Sequence, residues 1–273
     1  ALRGQIDHEK LKQKFPGLVV SKAKQHKLKP VEGKLDEQLL LPLGGSEPDT
    51  FLYEIRIDAS RGLAEGIENA LYDKVRGGNC TAVEAELFRA QMLTEMAAMS
   101  LDDGLVMQIH PGCFRNHNQR LFKLFGRDKG ADIPVATEFV RALHPLLNKF
   151  GNEPNLTLIV FTLDETSYSR ELAPLAGHYP AMKLGPAWWF HDSPEGMRRF
   201  REQMTESGGF YNTVGFNDDT RAFLSIPARH DVARRVDCGF LARLVAEHRL
   251  PEDEALAVAF ALSYNLAKKA YKL

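Results

Sequence analysis

A chain of 273 residues, 44% hydrophobic and 26% charged, has the composition of a folded protein with core enough for one barrel-sized domain or two smaller ones. Its net charge of −1 gives no overall field to draw in nucleic acid or an anionic membrane, so neither is an expected partner. It has no run of about 18 apolar residues and no charged-then-apolar leader. Its three widely spaced cysteines, Cys80, Cys113 and Cys238, suit neither a disulfide framework nor a CxxC zinc site, and a soluble, cytoplasmic protein is expected.

Residues 1–34 carry nine Lys and Arg against three acidic residues, a basic arm read as a solvated terminus. Leu18-Val19-Val20 is a short strand candidate, and 29–49 is rich in Pro, Gly and charge, as loops are. Residues 51–57 alternate like a strand, and 62–75 place Leu63, Ile67, Ala70 and Leu71 on one helical face. A strong helix former follows over 82–99, with Thr81 as N-cap and Asp102-Asp103-Gly104 as its end.

From here the order is regular. Residues 104–110 (GLVMQIH) and 156–163 (LTLIVFTL) are apolar runs without alternation, as strands buried on both faces are. A helix is predicted over 135–150, a short strand over 181–184, a basic-faced helix over 195–205 and a fourth strand over 210–216. Helices at 228–248 and 252–271 close the chain, with Pro251 expected at a first helical position. Strands alternating with helices imply parallel pairing with crossovers. Polar residues gather just past the strand ends, where a barrel keeps its catalytic rim. Four such units make half a barrel, and at most two further strands are legible in the first 80 residues. The division expected is 1–80, a poorly matched N-terminal segment with its basic arm, and 81–273, the C-terminal half of a barrel with terminal helices.

Four constellations carry chemistry. In His110-Pro111-Gly112-Cys113-Phe114-Arg115, a strand ends in His and a turn presents Arg115, whose planar fork suits a carboxylate or phosphate or a neighbouring acid. Asn217-Asp218-Asp219-Thr220-Arg221 sets two carboxylates and a guanidinium after an apolar run. Such a group binds a divalent metal, acts as a base, or pairs as an ion pair capping the next helix. Arg229-His230-Asp231 with Arg234 and Arg235 clamps an anion or forms surface ion pairs. Gly185 to Asp192 holds both tryptophans, Trp188 and Trp189, which serve as a sugar-stacking wall or as core. Walker, dinucleotide-binding and GxSxG motifs are absent, which excludes nucleotide-dependent and serine-hydrolase chemistry of those kinds.

MQIHPG with RNHN, then LGPAWWFHDSPEGM, then GFNDDTRAFLSIPARHDVARR, taken in this order, resemble the uronate isomerases of the amidohydrolase superfamily over roughly residues 85–273. The resemblance implies an α/β fold, a metal-dependent (β/α)8 barrel of the TIM type with its N-terminal half truncated or diverged here. It also implies aldose–ketose isomerisation of D-glucuronate to D-fructuronate, or D-galacturonate to D-tagaturonate. Asp219 matches the family's metal ligand and proton-transfer carboxylate, and Arg221 the arginine that stabilises an enediolate oxygen. Arg115 matches a residue for the substrate's carboxylate, while His110, Trp188, Trp189 and His230 fall in motifs that line the site. A zinc-type divalent metal and a hexuronate substrate are expected, and further copies of the chain are possible partners. The family's His-x-His pair has no counterpart, since no two histidines here are separated by one residue. Two alternatives stand beside this reading: another amidohydrolase-type hydrolysis, and a non-catalytic or incomplete barrel fragment binding a sugar acid or a partner.

Overall fold

The computed structural model describes residues 67–188, 191–218 and 222–273. The strand candidates at 18–20 and 51–57 lie outside these residues. The helix predicted from residue 62 is described as α1 (Ile67–Arg76). It leads into α2 (Ala82–Asp103), whose start is a full capping box: the Thr81 hydroxyl accepts from the Glu84 amide and the Glu84 side chain accepts from the Thr81 amide. Lys74 and the Thr81 backbone hold the Glu84 carboxyl down at about 2.

The sheet is built from β1 (Val106–Ile109), β4 (Thr157–Val160) and β5 (Met182–Leu184), all parallel, in the order β1-β4-β5. Val106 lies opposite Thr157 and Ile109 opposite Val160, and Leu158 lies opposite Met182. Side chains alternate between two apolar layers. Met107, Leu158, Val160, Met182 and Leu184 join the main core with α4 (Val140–Phe150), which buries Ala142, Leu143, Leu146 and Leu147. Ile159 and Phe161 face the other way, with Val214, Ala270, Val106, Trp188 and Tyr271. Burial on both faces, expected of both unalternating apolar runs, holds for β4, whereas β1 buries Met107 and exposes Gln108.

Several elements differ from expectation. The helix predicted from Val135 begins at Val140, because the preceding amides are taken by other partners: Val135 donates to Gly112, Thr137 to the buried Asp164 carboxylate and Phe139 to the buried Glu171. A two-residue hairpin, β2 (Cys113–Phe114) with β3 (Ile133–Pro134), and a short α3 (Gln119–Phe125) between them occupy what reads as loop. A π-helical turn (Tyr168–Leu172) running into α5 (Ala173–His178) lies between β4 and β5.

The expected fourth strand over 210–216 is reduced to an isolated parallel bridge, Leu184 to Thr213. Gly215 explains this: its φ of +72° takes the backbone out of the extended region, and a Cβ there would meet the Leu262 carbonyl oxygen at 2.2 Å. Among the described residues the sheet therefore has three strands and is open.

Helix α6 (Pro194–Thr205) starts at the Ser193 cap, and α7 (Ile226–Ala246) follows a 3-10 turn at Phe223–Ser225. The two are joined by a buried ion pair, Arg201 Nε to Asp237 Oδ1 at 2.6 Å and Arg201 Nη2 to Oδ2 at 3.0 Å, with Arg201 Nη1 reaching the Thr213 hydroxyl at 3.3 Å. Pro251 is the N-cap of α8 (Glu252–Phe260), one position earlier than expected, and a π-helical stretch (Ala261–Asn265) separates α8 from α9 (Leu266–Ala270). No helix among the described residues is long and apolar enough to cross a membrane.

Candidate active site

Chemistry-bearing side chains collect past the C-terminal ends of the strands. His110, immediately after β1, stacks on Phe161 with ring centroids 4.3 Å apart, and meets Trp188 edge-on at 4.8 Å. The loops after β1, β4 and β5 thus contribute one aromatic cluster, half-buried at His110 and Trp188. Gly112, with φ +98°, turns the chain away from this cluster, and a Cβ on it would lie 2.8 Å from the Thr162 hydroxyl.

The second feature is a guanidinium held between two carboxylates. Arg229, in the first turns of α7, places Nε 2.9 and 2.8 Å from the two Asp218 oxygens and Nη2 2.5 Å from Asp192. Asp192 follows β5 and Asp218 follows the 213–216 segment, so one side chain fixes two loops of the rim. The Asp218 side chain is 3% exposed, and a carboxylate so buried needs this partner. Next to it, His230 stands edge-on to Phe216 at 4.9 Å. Burial pushes the His230 imidazole below its ordinary value of 6.5, with Arg234 and Arg229 acting in the same direction and Asp218 opposing. It is therefore a neutral ring at pH 7, able to donate or accept a proton.

Beside these, Glu165 receives Arg199 and stands 3.3 Å from His191 Nδ1, while His191 Nε2 lies 2.9 Å from the Leu163 carbonyl oxygen. Asp164, read from sequence as part of the polar rim, is spent on scaffolding: its oxygens accept from the Thr137 amide and from the amide and hydroxyl of Thr166.

Arg115 sits just past β2, its Nη1 3.6 Å from both Asp128 and the buried Asp132. Of the two roles open to it in the sequence, it takes the ion pair in this structure, and a substrate carboxylate would compete with those acids. Burial, reinforced by Asp132, pushes the nearby Cys113 thiol up to about 11, so it is no thiolate at neutral pH. Trp189, Asp219 and Arg221 lie outside the described residues. The structure brings together His110 with Trp188, and Asp218 with His230 by way of Arg229. The roles of Arg229 and Asp192 as a clamp escape sequence reasoning, because their partners are 11 and 37 residues apart along the chain. The only available hint was that two carboxylates and a cluster of arginines follow strand ends.

Among the described residues no group of three or more His, Cys, Asp or Glu side chains could hold a metal ion. Asp218, the described carboxylate of the NDD segment, is taken by Arg229. A cavity of about 830 Å³ opens at the opposite end of the sheet, lined by residues such as Gly104, Thr157, Lys183 and Lys272. None of the described site residues, His110, Arg115, Trp188 or His230, lines it. By its place at the strand N-termini it is no catalytic mouth.

Comparison with known proteins gives a consistent picture. A sequence profile of the glucuronate isomerase family matches residues 43–271. The uronate isomerase of Sphingopyxis alaskensis is 74% identical over 215 residues, covering 79% of this chain and 46% of that protein. The crystal structure of glucuronate isomerase from Caulobacter crescentus superposes with a TM-score of 0.75 at 70% identity, over 77% of this chain and 44% of that one. Uronate isomerase from Thermotoga maritima gives 0.72 at 28% identity, over 77% and 47%. The chain spans about half the length of the relatives it matches.

Proposed function

The chain belongs to the glucuronate isomerase family, and from that membership we propose that it forms the C-terminal half of a (β/α)8 barrel that interconverts a hexuronate aldose with its ketose. The observation that carries this reading is the family match over residues 43–271. The clustering of His110, Trp188, Asp218, Arg229 and His230 at one end of a parallel sheet agrees with it. D-glucuronate to D-fructuronate, and D-galacturonate to D-tagaturonate, are the reactions proposed.

The chemistry asks for three things. A base removes the proton from C2 and the proton is delivered to C1, while the hydroxyl proton moves between the two oxygens. A cation faces the enediolate oxygen as charge develops, and a second cation orients the permanent carboxylate. In this reading Asp219 is the base, Arg221 faces the oxyanion and Arg115 exchanges its acidic neighbours for the uronate carboxylate. His230, neutral at pH 7, is a hydrogen-bonding neighbour of the reacting end, and His110 with Trp188 forms a wall for the sugar face. The clamp of Arg229 on Asp218 and Asp192 holds the loop that carries Asp219.

The zinc-type ion implied by the resemblance does not fit the described residues alone. Asp219 is proposed as one ligand, the others coming from the length of the relatives that this chain does not span. A cytoplasmic location accords with the unpaired state of Cys80, Cys113 and Cys238.

The test is a product assay on the chain fused behind the N-terminal half of a relative. D-glucuronate is expected to yield a ketose and to do so faster than a lactone or amide is hydrolysed. Hydrolysis without ketose would overturn the reading.

A further inference from the structure

Tyr271 directly follows α9. Its ring packs on the face of the sheet opposite the main core, with Ile159, Phe161 and Val214. Its hydroxyl donates to Gln108 Oε1 at 2.7 Å and accepts from Asn217 Nδ2 at 3.1 Å. Both partners adjoin the candidate site. Gln108 is on β1, two residues before His110 and on the same side of the strand. Asn217 immediately precedes Asp218. The Asn217 Oδ1 atom is buried without a hydrogen-bond partner, so this amide is held through its nitrogen by Tyr271. One phenol therefore joins the strand that ends in His110 to the segment that carries the aspartates. Backbone anchoring keeps it in place: Lys272 Nζ donates to the Gly104 carbonyl at 2.8 Å and to that of Asn155 at 3.1 Å, which ties the tail to the N-terminal ends of β1 and β4.

We propose that Tyr271 is a positioning residue for the isomerase site, its hydroxyl setting the spacing between β1, which leads to His110, and the Asn217-Asp218 segment. The proposal rests on the functional reading above. It assigns the residues just after α9 a part in the site, through Gln108 and Asn217.

Tyr271→Phe removes the hydroxyl and keeps the ring, and Tyr271→Ala removes both. In the chain itself, hydrogen exchange is expected to quicken in the Phe variant at residues 108–110 and 215–218, with helices 252–270 unchanged. In the fused barrel, kcat is expected to fall about five- to tenfold, the scale of one lost hydrogen bond, with KM held within about twofold. Tyr271→Ala should add loss of protection in α9. Unchanged exchange at both segments in Tyr271→Phe would overturn the proposal, as would loosening of 252–270 to the same degree, which would make the hydroxyl a general packing element. A fused parent that makes no ketose defeats the functional reading instead, and the exchange result on the tie still stands.

Discussion

Arg229 is the residue on which the rim's geometry turns. A guanidinium spans two carboxylates because its donors lie in a fixed plane, which an ammonium cannot reproduce. Arg229→Met would leave the Asp218 carboxylate buried without its partner and free the loop after Phe216. We expect kcat of the fused barrel to drop about 10- to 100-fold, the scale of a small misplacement of reacting groups, with Arg229→Lys intermediate; a Lys variant as active as the parent would show that charge alone matters. For Arg115, methionine is expected to raise KM for the uronate by about 2–4 kcal/mol in binding terms with kcat little changed. An unchanged KM with a lowered melting temperature would instead assign Arg115 to its contacts with Asp128 and Asp132. His230 supplies a pH test. Its pKa is lower folded than unfolded, so its contribution to stability is present above the unfolded value of 6.5 and is lost as pH falls from there toward the folded value. Urea midpoints at pH 7.5 and 5.5 should diverge less in His230→Gln than in the parent. At this scale the sequence made the site's motifs visible, since His110, Trp188, Asp218 and His230 each follow a recognisable strand or open a helix. It hid the pairings, because Asp218 with Arg229 and Tyr271 with Gln108 are brought together only by folding.

Among the elements, those with local signals were legible. Thr81 announces its helix start through bonds that the first turn makes with itself, whereas the Ser193 cap places the start of α6 at Pro194, one residue before the expected 195. Thr81→Ala should therefore cost about 1 kcal/mol, read from the urea midpoint. Elements decided by distant partners were not legible: α4 starts late because Asp164 and Glu171 take the amides ahead of it, and 210–216 fails as a strand at Gly215. The junction of α6 and α7 is of the same non-local kind. Asp237→Ala would strand Arg201, 4% exposed, and should destabilise the chain by about 3–5 kcal/mol. A loss below about 1 kcal/mol would mean that water or Thr213 takes over the pairing.

At the scale of the whole molecule, the order of the three parallel strands leaves β1 as an edge among the described residues, with Gln108 exposed on it. Exposed edges of this sort are normally paired or covered. The family match reaching back to residue 43 extends further than the resemblance legible from about residue 85. The resemblance is legible only from there because no two histidines of this chain are separated by one residue, so the His-x-His pair has no counterpart. The measurement that tests the account most directly is ketose formation from D-glucuronate by this chain, by the N-terminal half of a relative, and by the two together, with their association followed by size-exclusion chromatography. The account predicts that neither half turns over alone and that the associated pair does. Turnover by this chain alone at the rate of a full-length relative, or an associated pair that forms no ketose, would contradict it.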